Sequence, residues 1–536
     1  MTPTIRPGAD MALPYPSQRS PVLAANMVAT SQPLAAQAGL AMLAKGGNAV
    51  DAAIAAAMAL TVVEPTGNGL GSDAFAILWD GTALHGLNAS GRSPAAWTPD
   101  RFRGRAAMPE LGWDSVTVPG AVSAWIALAR RFGSLPLPVL AEPAIRYARH
   151  GFLVSPRIAG LWRFAPEHFA GQPGFAEAFL PGGRAPAAGE PFRNPAQADS
   201  LELIADSAGE VFYRGVLADR MVAHARAHGG ALHEQDLGDH VADWVEPLAV
   251  PFAGAVVHEL PPSGQGIATL MALGMLEELG VDDRPVDDPA TLHLAIEAVK
   301  LALADLLEHV ADLDHMRHPP AALIDRAYLA RRAGLIDPHR AGDPAHGAPR
   351  PGGTVYLAAA DADGMMVSLI QSNYMGFGSG VVVPGTGISL QNRAAGFVLR
   401  PGHANEVGPR KRPFHTIIPG FATTAAGEPL MAFGVMGGMM QAQGHVQLAL
   451  RILAHGQNPQ AAIDAPRWRV VGGRRVDVEP GLPAATRDAL TALGHDLVVG
   501  NVATHSGFGG AQAILRVPGG YIAGSGPRKD GQAVGF

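Results

Sequence analysis

A threonine set directly behind two glycines, in PGGTVYLAAADADG (Pro351–Gly364), constrains this chain more than any other stretch. Gly352 and Gly353 free the backbone to turn. Val355, Tyr356, Leu357 and the alanines after them predict a short buried strand headed by Thr354. Asp361–Gly364 predicts a tight turn, and Met365–Gln371 the returning hairpin partner. A hydroxyl at the head of a buried strand is a weak nucleophile and needs a base beside it. The chain can supply one itself, its own terminal amine, but only if the Gly353–Thr354 bond has been cut. With an unperturbed pKa of about 7.7–8.0, that amine would exchange a proton near neutral pH. A bare Gly-Gly-Thr also fits an ordinary strand start, so the rest of the chain must decide.

Length alone, 536 residues, is compatible with several domains or one large core. The 40 basic side chains are outnumbered by 47 acidic ones and form no cluster, which speaks against a nucleic-acid partner. Cysteine is absent, so disulfides, thiolate metal sites and cysteine nucleophiles are excluded. MTPTIRPGADMALPYPSQRSP lacks the basic-then-apolar pattern of an export leader and predicts a Pro-rich extended arm; the expected location is cytoplasmic. The most apolar run, Ala49–Val63, contains Asp51 and is too short to cross a bilayer; it predicts a buried helix and no membrane partner.

Small and apolar residues at helical spacing predict a helix over Gln32–Lys45, stopped at Gly46–Gly47–Asn48. Gly67–Asp80 predicts a glycine turn and then a strand. Its G-x-G lacks the preceding strand that a nucleotide-binding loop requires. Ser115–Glu308 reads as mostly helical, interrupted by Leu180–Pro195 and the strand-like Val250–Glu259. His309, His315 and His318, with Asp305, Asp312 and Asp314, match no metal-ligand spacing and predict a solvated helix end. Asp51, His293 and Glu297 are assigned to structure, and Ala341–Gly352 to an exposed linker. Ala511–Val517 and Tyr521–Gly524 predict a hairpin around Pro518–Gly520. PPSGQG lacks the first glycine of a serine-hydrolase G-x-S-x-G elbow.

Several segments share one order with a known family. GGNAVDAAIAAAMALTVVEPTGNGLG (Gly46–Gly71), TVPGAVSAW (Thr117–Trp125), EPAIRYARHGFLVS (Glu142–Ser155), PPSGQGIATL (Pro261–Leu270) and HLAIEAVKLALADL (His293–Leu306) are followed by the Gly-Gly-Thr junction. GPRKRPFHTIIP (Gly408–Pro419) and GVMGG (Gly434–Gly438) complete the series. Together they resemble the gamma-glutamyltranspeptidase family from about residue 24 to residue 536. That resemblance implies an α+β fold, the αββα four-layer sandwich of N-terminal nucleophile hydrolases. It also implies a precursor that cuts itself into a large subunit, residues 1–353, and a small one, residues 354–536, which remain one core. Thr354 would be the nucleophile, Ser372 its hydroxyl partner, and the N–H groups of Gly437 and Gly438 the oxyanion hole. Arg92 would clamp a substrate carboxylate, although Ser90 falls at the aligned position and a solvated loop arginine is the plain alternative.

The pocket segments depart from the family. Where its members hold a gamma-glutamyl group with asparagine, glutamine and aspartate, this sequence aligns Tyr374, Arg393 and Gly396. His415–Thr416 replaces a serine pair. An arginine in place of an acceptor for an ammonium reverses the local charge and attracts an anion. Asn392, in QNR, belongs to the same expected substrate-binding set with Tyr374, Arg393, His415 and Thr416. Gln391–Asn392–Arg393, R-P-F-H-T and G-S-D-A-F resemble the oxamate amidohydrolase-like branch of the family. The expected activity is hydrolysis of a small anionic amide through an acyl-enzyme, with no metal or organic cofactor required. Gamma-glutamyl hydrolysis of glutathione-like substrates and an uncleaved anion-binding protein are the alternatives. Whether two such heterodimers pair is left open.

Overall fold

A computed structural model describes residues 18–280, 284–344, 353–500 and 507–536. The N-terminal arm and most of the expected linker, residues 345–352, lie outside the described residues. Two seven-stranded sheets carry the fold. In the first, the order is Gln532–Gly535, Met27–Thr30, Gly353–Ala360, Met366–Tyr374, Asp73–Trp79, Leu84–Asn88, Asp243–Val245. In the second it is Val22–Ala24, Gly520–Ser525, Ala511–Val517, Pro429–Val435, Gly420–Thr424, Ala255–Glu259, Leu248–Phe252.

Side-chain alternation explains why both sheets are buried. Along Gly353–Ala360, Val355, Leu357 and Ala359 point to a helical layer, while Tyr356, Ala358 and Ala360 point to the other sheet. Phe421, Ala432, Met436 and Ile514 meet them from the second sheet. That sheet's opposite face packs on the helices Gly266–Leu279, Pro289–His309 and Met440–Ala449. Helix, sheet, sheet and helix therefore stack as the expected α+β sandwich.

The helix Ala49–Val63 is buried along its whole length. Asn48 and Asp51 close its start with a reciprocal capping box, which gives Asp51 its structural role. Ala49 N–H donates to Asp361 Oδ2 at 2.8 Å, which ties this helix to the turn of the central hairpin. The hairpin itself is as expected, with the returning strand three residues longer at its end, reaching Tyr374. Helix Pro33–Ala44 and the Ala511–Val517 and Gly520–Ser525 pair also match the sequence reading. Among the described residues no helix is long and apolar enough to cross a membrane.

Candidate active site

The central hairpin brings its two hydroxyls together through a slip in its ladder. Gly353 pairs with Tyr374 but Val355 with Gln371, so Thr354 alone faces both Ser372 and Asn373. Thr354 Oγ1 lies 3.2 Å from Ser372 Oγ, and both residues are buried. Ser372 Oγ in turn accepts the Tyr374 N–H at 2.7 Å, across a Tyr374 backbone with φ of 77°. That left-handed conformation is uncommon for an aromatic residue and places the amide within reach of the serine.

A third side chain contacts the Thr354 hydroxyl, and sequence reasoning missed it. Gln441 Nε2 donates to Thr354 Oγ1 at 3.3 Å, while Gln441 Oε1 accepts the Ile418 N–H at 3.1 Å. The backbone contact fixes the amide orientation, so the NH2 end must face the threonine. Gln441 sits in the first turn of the helix Met440–Ala449, three residues after Gly438; that spacing was the available signal.

Gly437 and Gly438 form the turn between the strand Pro429–Val435 and that helix. Gly437 has φ of +124° and Gly438 +63°, conformations that side-chain-bearing residues avoid. Among the described residues neither N–H meets an intramolecular acceptor. Thr354, Gly437, Asn392, Met375 and Met436 line a cavity of about 490 Å³, a size suited to a small organic substrate. The remainder of its wall combines apolar side chains, Leu161, Phe164, Phe169 and Phe377 among them, with Glu110, Arg157, His168 and Lys529.

The structure separates the other expected pocket residues into three places. Asn392 lines the cavity, but both ends of its amide are engaged: Oδ1 accepts Met375 N–H and Nδ2 donates to the Glu110 carbonyl. Arg393, His415, Thr416 and Tyr374 converge around Asp73, the aspartate of the G-S-D-A-F motif. Arg393 Nε lies 3.2 Å from Asp73 Oδ2, its Nη1 3.1 Å from Thr416 Oγ1, and its guanidinium carbon 4.4 Å from the Tyr374 ring centre. His415 Nε2 shares the same Asp73 oxygen at 3.1 Å. Arg393, His415 and Asp73 are all fully buried, and none of them lines the cavity. Burial pushes the His415 imidazole down to about 3, helped by the Arg393 charge, so the ring is neutral against Asp73.

Arg92 is not brought to the cavity. Its Nη1 pairs with Asp312 Oδ2 at 2.9 Å, in a separate depression shared with Asp236, Asp239, Asp243, Arg410 and Arg412. Asp312 thus serves arginines, and Asp305 bonds Tyr328 and Arg332. His293 and Glu297 meet His495 inside the protein, where the Lys300 ammonium bonds Glu297 at 2.8 Å and already supplies the positive charge.

Comparisons with known proteins agree with this geometry. The family profile described as gamma-glutamyltranspeptidase matches residues 35–536. The chain is 37% identical over 525 residues to the glutathione hydrolase-like YwrD proenzyme of Bacillus subtilis, covering 95% of this chain and 98% of the relative. It is 36% identical over 518 residues to the oxamate amidohydrolase proenzyme of Klebsiella pneumoniae, covering 94% and 97%. The crystal structure of a cephalosporin acylase from Bacillus halodurans superposes with a TM-score of 0.94 at 47% identity, over 98% of this chain and 99% of that one.

Proposed function

The chain belongs to the gamma-glutamyltranspeptidase family, and from that premise we propose that it is a self-processing amidohydrolase whose nucleophile is Thr354. The observation that carries this reading is the Thr354 hydroxyl, held between Ser372 and Gln441 at the head of a central strand and opening on a cavity that also exposes Gly437.

In maturation, Thr354 Oγ adds to the Gly353 carbonyl carbon and the Gly353–Thr354 C–N bond breaks. The nitrogen takes the hydroxyl proton, and water then hydrolyses the ester to a Gly353 carboxylate and a free Thr354 amine. In turnover, that amine takes the Oγ proton as Oγ adds to the substrate amide. The Gly437 and Gly438 N–H groups receive the oxyanion, and the proton passes to the leaving nitrogen as its bond to carbon breaks. Water attacks the acyl-enzyme, with the same amine as base. Gly353–Ala360 lies between Met27–Thr30 and Met366–Tyr374, so the two chains, residues 1–353 and 354–536, stay together as one core after cleavage.

The proposed substrates are small anionic amides, oxamate-like in charge. A gamma-glutamyl substrate is the second reading, favoured by an acidic residue, Glu110, in the cavity wall. Intact mass with N-terminal sequencing tests the central claim. Two chains, the smaller beginning Thr-Val-Tyr, are expected; Thr354→Ala should remain one inactive chain. Hydrolysis by that variant at the wild-type rate would remove Thr354 as nucleophile.

A further inference from the structure

The turn assigned to the oxyanion has no side chain of its own to hold it. Gly437 and Gly438 sit at φ of +124° and +63°, and without a Cβ their peptide planes can swing at little cost. Two carbonyls of the turn are tied to the helix that follows: Gly437 O accepts Met440 N–H at 3.2 Å and Gly438 O accepts Gln441 N–H at 3.1 Å. Donors aimed at a developing charge must be fixed in advance, which calls for a brace from outside. We propose that the stretch Glu259–Gln265, in the proposed large subunit, is that brace: Gln265 is a positioning residue for the oxyanion turn, and Glu259, acting through His445, is a second. The inference rests on the amidohydrolase reading and assigns further residues to that same site.

Three observations support it. First, Gln265 grips the turn directly. Its Nε2 donates to the Gly438 carbonyl at 2.8 Å and also to the Thr416 carbonyl. An amide turned the other way would set its oxygen against two carbonyl oxygens, so the NH2 end is fixed on them. Gln265 N–H donates to His415 O and His415 N–H to Ser263 O, both at 2.9 Å, which straps the backbone around Gln265 in place. The same Gly438 carbonyl takes the Gln441 N–H, and the Gln441 side chain donates to Thr354 Oγ1. Gln265 is fully buried, and its Oε1 meets no hydrogen-bond partner among the described residues. A leucine would fill the same space without that cost, so packing alone does not account for an amide here.

Second, the two arms of the turn are bridged by an imidazole. His445 Nε2 accepts the N–H of Val435, the last residue of the strand that enters the turn, at 3.1 Å. Nε2 therefore carries no hydrogen, and Nδ1–H donates to Glu259 Oε1 at 2.6 Å. Glu259 thus fixes both the tautomer and the tilt of the ring. Burial pushes the His445 imidazole down to about 3 and the Glu259 carboxyl well above its ordinary range. The pair is held uncharged, so its part is geometric rather than Coulombic.

Third, the brace and the turn lie on opposite sides of the proposed cut. Glu259 ends the strand Ala255–Glu259 and Gln265 directly precedes the helix Gly266–Leu279, both upstream of Gly353. Val435, Gly437, Gly438 and His445 are all downstream of Thr354. After cleavage the oxyanion donors of the small chain keep their geometry through hydrogen bonds from the large one.

The test uses Gln265→Leu, Gln265→Ala and Glu259→Leu. Two amides report turnover: succinic acid mono-p-nitroanilide, which is anionic, and butyric acid p-nitroanilide, which is neutral. Each variant should lower kcat about 10- to 100-fold, by the same factor on both amides and with little change in KM, because the turn meets the carbonyl oxygen and not the acyl chain. Glu259→Gln, whose Oε1 still accepts the His445 N–H, should recover most of what Glu259→Leu loses. Calorimetric titration separates the two geometries: propylboronic acid, tetrahedral once a hydroxyl adds to boron, should lose affinity by the factor that kcat loses, while planar butyramide should bind all the proteins alike. Crystal structures of the Gln265 variants give a readout independent of catalysis, in which the Gly437–Gly438 turn should be displaced. Wild-type turnover by Thr354→Ala would sink the nucleophile reading, and the crystal structures would still decide whether Gln265 sets the turn. An unmoved turn, or wild-type kcat and boronate affinity in the Gln265 variants, would overturn the proposal. Equal losses of affinity for propylboronic acid and butyramide would do so too, by reducing Gln265 to a support of the whole cavity.

Discussion

Arg393 offers the sharpest quantitative test, because the sequence made it a substrate receptor and the structure buries it against Asp73. At 3.2 Å and an effective dielectric near 20, the pair interacts by about 5 kcal/mol. Removing one member of a buried pair strands the other, a cost of about 3–5 kcal/mol. Asp73→Asn would strand the guanidinium and weaken the acceptor for His415; Arg393→Met would strand the carboxylate. Each single change should therefore cost about 3–5 kcal/mol, and the double variant far less than their sum, with a coupling of about 3 kcal/mol. Urea unfolding measures this in the Thr354→Ala background, which is expected to keep one covalent chain and the same hydrophobic core. In the self-cleaving background, Arg393→Met should leave the anionic-to-neutral ratio of kcat/KM within about twofold of wild type. Additive stability losses would refute the pairing. A stable Arg393→Met variant that lost only the anionic substrate would restore Arg393 as the receptor.

Two further outcomes follow from the site. Gln441→Leu should lower kcat about 10- to 100-fold with little change in KM, because the Thr354 hydroxyl loses a donor that also holds the developing alkoxide; an unchanged kcat would return Gln441 to a purely structural role. His415 stays neutral in the folded protein down to about pH 3, whereas the unfolded chain takes up a proton near pH 6.5, so its contribution to stability is lost as pH falls through that window. The slope belonging to one such proton is about 1.4 kcal/mol per pH unit, and His415→Gln should remove it. Urea midpoints at pH 4.5 and 7 for both proteins check this, equal slopes being the contrary result.

Legibility in the sequence followed the range of the interaction. The helix Ala49–Val63 and the hairpin that begins at Thr354 are local: apolar periodicity and a turn suffice to predict them. Ser372 came from the family resemblance, and the structure places it on the return strand of the same hairpin. Gln441 was nearly legible, one helical turn past a glycine pair.

What only the tertiary structure decided is where charge is spent. Arg393 looked unopposed along the chain because its partner, Asp73, is 320 residues away, on the far side of the strand that carries Ser372. Arg92 and Asp312 are 220 residues apart, and the wall of the Thr354 cavity draws Arg157 and Lys529 from segments distant in the chain. Short-range preferences leave a record in spacing and composition. The pairing of buried charges depends on which strands lie side by side, and that is settled only when two sheets close on a common core. The sequence by itself thus determined the strand, its hydroxyl and the glycine turn. Folding determined which of its charges face one another.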